Sequence, residues 1–159
     1  MLNVNIICVG SLKEKFFADA VNEYKKRLSR YCKFSIVELN EEKTMDQQTQ
    51  AQIDKTLSKE GERILSKINK SDFVIAMCIE GKMLSSEDLS QKLSDISMSS
   101  GTVDFIIGGS WGLSEDVKSR ADFKLSVSKM TFPHQLFRVM LCEQIYRAFS
   151  ISANAKYHK

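Results

Sequence analysis

The stretch Val103-Asp104-Phe105-Ile106-Ile107-Gly108-Gly109-Ser110-Trp111-Gly112 decides the fold. Its first five residues read as a buried strand, rich in β-branched and aromatic side chains. The next five hold three glycines, Gly108, Gly109 and Gly112, and form a tight, exposed loop. Ser114 then caps a short helix that opens with Glu115 and Asp116, where acids favour the helix dipole.

The same strand–loop–helix unit recurs in both directions. Upstream, Asn3 to Val9 is a strand ended by Gly10. Lys13 to Tyr31 is helical, with Phe17, Ala20, Val21, Tyr24 and Leu28 at three- and four-residue steps. Phe34 to Leu39 predicts a second strand, and Asn40 to Gln48 a polar loop. A long helix follows, with Ile53, Leu57, Ile64, Leu65 and Ile68 on one side. Gly61 lies inside it, where glycine lowers helix propensity by about 1 kcal/mol. Phe73 to Ile79 predicts a third strand ended by Glu80-Gly81-Lys82, and Ser85 or Ser86 caps the next helix. Downstream of the glycine loop, Phe123 to Val127 is a short fifth strand. His134 to Ile151 is the last helix and Ser152 to Lys159 a tail. Strands alternating with helices make an α/β fold: a mostly parallel sheet with helices on both faces. Residues 1–159 read as a single domain, a normal size for one core.

Composition removes several function classes. With 43% hydrophobic and 27% charged residues, the chain reads as soluble and globular. A net charge of +3 permits a polyanionic partner without arguing for one. Cys8, Cys32, Cys78 and Cys142 form no C-x-x-C pair, and only His134 and His158 could join them, so no metal site is expected. Apolar, unpaired cysteines suit a reducing compartment. No signal peptide precedes the first strand, and no apolar run approaches the roughly 20 residues that span a bilayer. A cytoplasmic protein with no membrane partner is therefore expected.

Five elements offer chemistry. The glycine loop can bind a ligand through backbone N–H groups, or be a plain strand-to-helix turn. It is not a dinucleotide fingerprint, which would follow the first strand, and no G-x-x-x-x-G-K-[ST] phosphate loop occurs. Ser126-Val127-Ser128-Lys129-Met130-Thr131-Phe132-Pro133-His134-Gln135 enters the last helix and holds the only proline, which presets φ at a helix entrance. Its polar groups, with Met130 and Phe132, could wrap a flat heteroaromatic ligand; a capped helix start is the plainer reading. The last helix is apolar nearly all round, so it must be buried on several sides; its own sheet alone could do this, and a partner subunit in addition is the expectation. Within it Glu143 and Arg147 are spaced to pair. Arg138 is left for a phosphate, a carboxylate or the partner. Lys25, Lys26, Arg27, Arg30 and Lys33 suit a helix C-terminus or, alternatively, RNA phosphates. In the tail, Tyr157 can stack on a base beside His158 and Lys159.

Taken together, Ile107-Gly108-Gly109, Gly112-Leu113, Leu125-Ser126, Thr131-Phe132-Pro133-His134, Arg138-Val139, Glu143 to Ala148 and Tyr157-His158-Lys159 resemble the RlmH family of SPOUT methyltransferases. Gly10, Glu60-Gly61-Glu62 and Gly81-Lys82 match as well, so the resemblance spans the chain. It implies a trefoil-knotted α/β fold, a homodimer, and methylation of N3 of a pseudouridine in 23S ribosomal RNA with S-adenosyl-L-methionine as cofactor. The ribosomal RNA or the ribosome would be the partner. It also implies a cofactor pocket of Met77, Gly108, Val127, Ser128, Lys129, Met130, Thr131 and Phe132. Met77 stands where family members often have Leu, a swap of similar volume. His134 is the nearest candidate catalytic base, with water or an RNA phosphate as the alternatives; Arg138, Tyr157, His158 and Lys159 are candidate RNA contacts. The rival from another class is a non-catalytic RNA- or nucleotide-binding module on the same frame.

Overall fold

The computed structural model describes residues 1–157. His158 and Lys159, both expected to face RNA, lie outside the described residues. Five strands and five helices alternate: β1 (Asn3–Val9), α1 (Lys15–Leu28), β2 (Lys33–Leu39), α2 (Gln50–Leu65), β3 (Phe73–Met83), α3 (Ser86–Ser99), β4 (Thr102–Ile107), α4 (Glu115–Arg120), β5 (Phe123–Ser126) and α5 (His134–Ser152). The strands form one sheet in the order β2-β1-β4-β3-β5, and every pairing is parallel.

Parallel strands are covered on both faces, so their side chains divide between two cores. Val4, Ile6 and Cys8 of β1 join Val21 and Leu28 of α1, Leu89 and Leu93 of α3, and Leu141 and Ile145 of α5. Ile7 and Val9, one residue out of phase, face the other way onto Ile64 of α2 and Val117 of α4. The alternation is the two-residue period of a strand. Three helices thus lie on one face and two on the other.

Helix starts follow their caps. Thr49 and Ser85 each accept a backbone N–H from the third helical residue and complete reciprocal capping boxes with Gln52 and Asp88. Pro133 sits at φ −56° before α5, as its ring requires. The α1 helix is shorter than the Lys13–Tyr31 expected, running from Lys15 to Leu28.

One strand differs from expectation in a way that shapes the site. β3 does not stop at Ile79 but continues to Met83. Leu125 of β5 pairs with both Met77 and Lys82, with the irregularity between them. Gly81 makes this possible: a Cβ there would lie 2.6 Å from the backbone carbon of Leu125. The glycine ends no strand; it lets β3 bulge and press against β5.

Candidate functional site

A cavity of about 520 Å³ opens beyond the carboxyl ends of β3, β4 and β5, the edge where open parallel sheets bind ligands. Its volume lies in the range of small-molecule sites. β4 and β5 follow one another among the strands, but β3 lies between them in the sheet. The floor is therefore Met77, with Ile107 of β4 and Leu125 of β5 to either side.

The glycine loop makes one wall. Gly112 has φ +81°, open to glycine at little cost, and its N–H donates to the carbonyl of Gly109 at 3.0 Å. Gly108 is pressed on this turn: a Cβ there would lie 2.2 Å from the Gly112 carbonyl oxygen. The opposite wall is the segment between β5 and α5. The Ser126 hydroxyl donates to the Ser128 carbonyl at 2.9 Å, and the Met130 N–H donates to the Ser128 hydroxyl at 3.0 Å. These bonds curl the segment into a compact turn whose Val127, Ser128, Met130, Thr131 and Phe132 line the cavity. At the mouth Lys118 of α4 pairs with Glu80 at 2.5 Å. The shared hydrogen bond holds the Glu80 carboxyl below its usual range and the Lys118 ammonium above it.

The two segments singled out in the sequence thus face each other across one cavity. Of the expected cofactor residues, Met77, Gly108, Val127, Ser128, Met130, Thr131 and Phe132 line it, and Lys129 does not. Lys129 is exposed within the same turn. His134, first residue of α5, stands in the cavity wall with Phe137 one turn on. Trp111 belongs to the lining too, with 48% of its surface exposed.

Two expected RNA contacts sit elsewhere. Arg138 is 1% exposed. Its Nη1 donates to Glu38 at 2.7 Å and its Nη2 to the Gly10 carbonyl at 3.1 Å. Its guanidinium ties α5 to the ends of β1 and β2 through a carboxylate and a backbone carbonyl. The signal was present in the sequence, since a helix apolar nearly all round leaves an arginine no watery side. Tyr157 lies back on α5. Its hydroxyl donates to Glu143 at 2.9 Å, its ring meets Tyr146 edge-on at 4.8 Å, and Arg147 lies over it at 5.0 Å. The expected Glu143–Arg147 pair is present, with Nε donating at 2.9 Å.

Among the described residues no group of three or more His, Cys, Asp or Glu could hold a metal, and no helix is long and apolar enough to cross a membrane. The four cysteines are free, and burial pushes the Cys8 thiol up to about 11 and those of Cys32 and Cys142 to about 12. None is poised as a thiolate nucleophile.

Comparison with known proteins gives this cavity a context. The family described as "Predicted SPOUT methyltransferase" matches residues 2–158. The chain belongs to the SPOUT methyltransferase family. Membership makes it a methyltransferase and implies a methyl donor. Among its relatives are proteins named ribosomal RNA large subunit methyltransferase H. Those of Clostridium acetobutylicum and Clostridium novyi are each 52% identical, and that of Clostridium botulinum is 51% identical. Each alignment takes in 99% of this chain and all of the relative.

Proposed function

We propose that the chain, as one domain over residues 1–159, transfers a methyl group from S-adenosyl-L-methionine to N3 of a pseudouridine in 23S ribosomal RNA. The observation that carries this reading is the single cavity in which the Gly108–Gly112 loop faces the Val127–Phe132 turn, in a chain of the SPOUT family. Membership in a methyltransferase family favours this reading over a non-catalytic binding module. The full-length relatives named as large-subunit ribosomal RNA methyltransferases support the choice of substrate. Action on ribosomal RNA agrees with a cytoplasmic location.

The residues present fit the donor. Met77, Leu125 and Phe132 offer apolar surface for the adenine ring. The loop backbone around Gly108 and the irregular backbone of residues 127–132 offer polar groups for its edge and for the ribose, and this is how small-molecule sites divide their labour. When bound, S-adenosylmethionine supplies an electrophilic methyl on a sulfonium.

The chain's own task is alignment and proton management. The turn and the glycine loop would hold donor and target nitrogen in line, and such orientation removes several kcal/mol of barrier. The pyrimidine nitrogen forms its new bond to carbon as the sulfur–carbon bond breaks, and its proton must leave. The His134 imidazole, in the cavity wall at the entrance to α5, is the group that would accept it.

Calorimetry with S-adenosylmethionine, followed by methylation of ribosomal RNA or ribosomes, tests both statements. The wild-type chain should bind the donor and methylate N3. His134→Ala should lower the transfer rate by about a hundredfold while leaving donor affinity near wild type. Absence of donor binding sinks the reading, and equal loss of rate and affinity makes His134 a binding residue.

A further inference from the structure

Glu60 takes no part in the cavity wall, yet it touches the loop that does. It lies on α2 and is 3% exposed. Its Oε1 accepts the Glu42 N–H at 3.2 Å. Both its oxygens close on Gly109, where a Cβ would lie 2.9 Å from Oε2 and 3.3 Å from Oε1. The absent side chain at Gly109 is what lets the carboxyl press against the backbone. The contact does not stand alone. Ser110 donates to Glu41 at 3.1 Å. Gly61, next after Glu60, faces the cap of α4, where its Cβ would lie 2.4 Å from the Ser114 hydroxyl oxygen. The glycine loop is thus backed by α2 from Gly109 to Ser114, on the side away from the cavity.

A buried carboxyl is a costly way to fill space. Burial and the neighbouring charge of Glu41 push its pKa up, against the Glu42 N–H and Arg63, which pull it down. An apolar side chain of similar volume would pack behind a loop more favourably. What the carboxyl adds is a directional bond to the Glu42 N–H while both its oxygens pack against Gly109.

We infer that Glu60 is a positioning residue: its carboxyl braces the Gly109–Ser110 backbone so that the opposite side of the loop keeps the shape that grips the methyl donor. The inference rests on the reading of the cavity as the donor site. Its test has one readout that does not. Trp111 is the only tryptophan and sits in the braced loop, so its fluorescence reports the loop in ligand-free protein.

Glu60→Ala and Glu60→Gln are compared with wild type by circular dichroism, acrylamide quenching of Trp111 and calorimetry with S-adenosylmethionine. Glu60→Ala should remain folded, expose Trp111 to more quenching, and weaken donor binding about tenfold or more, since small displacements of a binding wall are costly. Glu60→Gln keeps an acceptor for the Glu42 N–H and should recover most of both properties. Wild-type quenching and wild-type affinity in both variants overturn the inference. So does a Glu60→Gln as impaired as Glu60→Ala, because a carboxamide of the same shape then fails to brace. If Glu60→Ala does not fold, Glu60→Gln alone decides: near-wild-type quenching and affinity uphold the brace, and loss of either overturns it. If wild type itself binds no donor, the functional reading falls while Trp111 quenching still decides the brace.

Discussion

Asp104 has no exposed surface, although it is a carboxylate in the middle of the sheet. Asn5 on the neighbouring strand donates to its Oδ1 at 2.7 Å, and its Oδ2 has no partner among the described residues. Burial, with the Asp72 carboxyl nearby, pushes its pKa up to about 6, against the Asn5 bond and Arg120, which pull it down. A folded-state pKa above the unfolded one means that the native state binds the proton more tightly. Asp104 therefore favours folding most below the unfolded value near 4, and that contribution is lost as pH rises through about 6. Asp104→Asn keeps an acceptor for Asn5 and never ionises. It should stabilise the protein at about pH 8, by up to about 3 kcal/mol at roughly 1.4 kcal/mol per pKa unit. The gain should shrink as the pH falls towards about 4. Urea unfolding of both proteins across this range checks the sign, and a destabilised variant at the alkaline end would contradict it. Arg138 makes a related point in reverse: a buried charge that the sequence left to a phosphate, a carboxylate or the partner is committed to Glu38 and Gly10.

At the scale of elements, the bulge in β3 positions the floor of the cavity, and Gly81 is the residue that permits it. Gly81→Ala would drive a Cβ to 2.6–2.8 Å from the backbone of Lys124 and Leu125. Backbone cannot swing aside as a side chain can, so a loss of about 1–3 kcal/mol is expected. Because β5 leads directly into the Val127–Phe132 turn, donor affinity should fall as well. Gly101→Ala is the matched control: nothing lies within 4 Å of its Cβ and its φ is not positive. It should be neutral or stabilise by about 0.4–1 kcal/mol through the unfolded chain. Denaturant midpoints and calorimetry of the two variants separate these outcomes. The elements themselves were legible in the sequence, because the short apolar run within Asn3–Val9 and the three-to-four-residue steps of Phe17 to Leu28 record burial directly. The bulge was not, since Glu80-Gly81-Lys82 reads as a turn until β5 is known to lie alongside. The role of Gly61 was hidden in the same way: poor in helix propensity, it answers to the cap of α4 that packs against it.

For the whole molecule, strand order was the illegible quantity. Hydrophobic pattern says which segments are strands but not that β3 separates β4 from β5. The trefoil threading implied by the family resemblance leaves no trace in such a pattern either. What the pattern did carry was the excess of apolar surface on the last helix. Beside the cavity, α3 and α5 with the end of β5 enclose a second hollow of about 550 Å³, bordered by Leu84, Val127, Val139 and Met140. Met83 and Val127 keep 53% and 36% of their surfaces exposed, and Leu136 at the start of α5 keeps 37%. Apolar surface of this kind, continuous with a binding site, marks an interface. We propose that a second copy covers it, giving the homodimer that the family resemblance implies. Met140 borders the hollow without packing into either core. Met140→Glu would place a charge in the contact while leaving the fold alone, and a buried unpaired charge costs several kcal/mol in an interface. Light scattering should give wild type a mass twice 18.1 kDa and the variant a single 18.1 kDa, with unchanged circular dichroism. A wild-type protein that stays monomeric at concentrations where it methylates RNA would remove the partner subunit from this hollow, and with it the reason proposed for so apolar a helix.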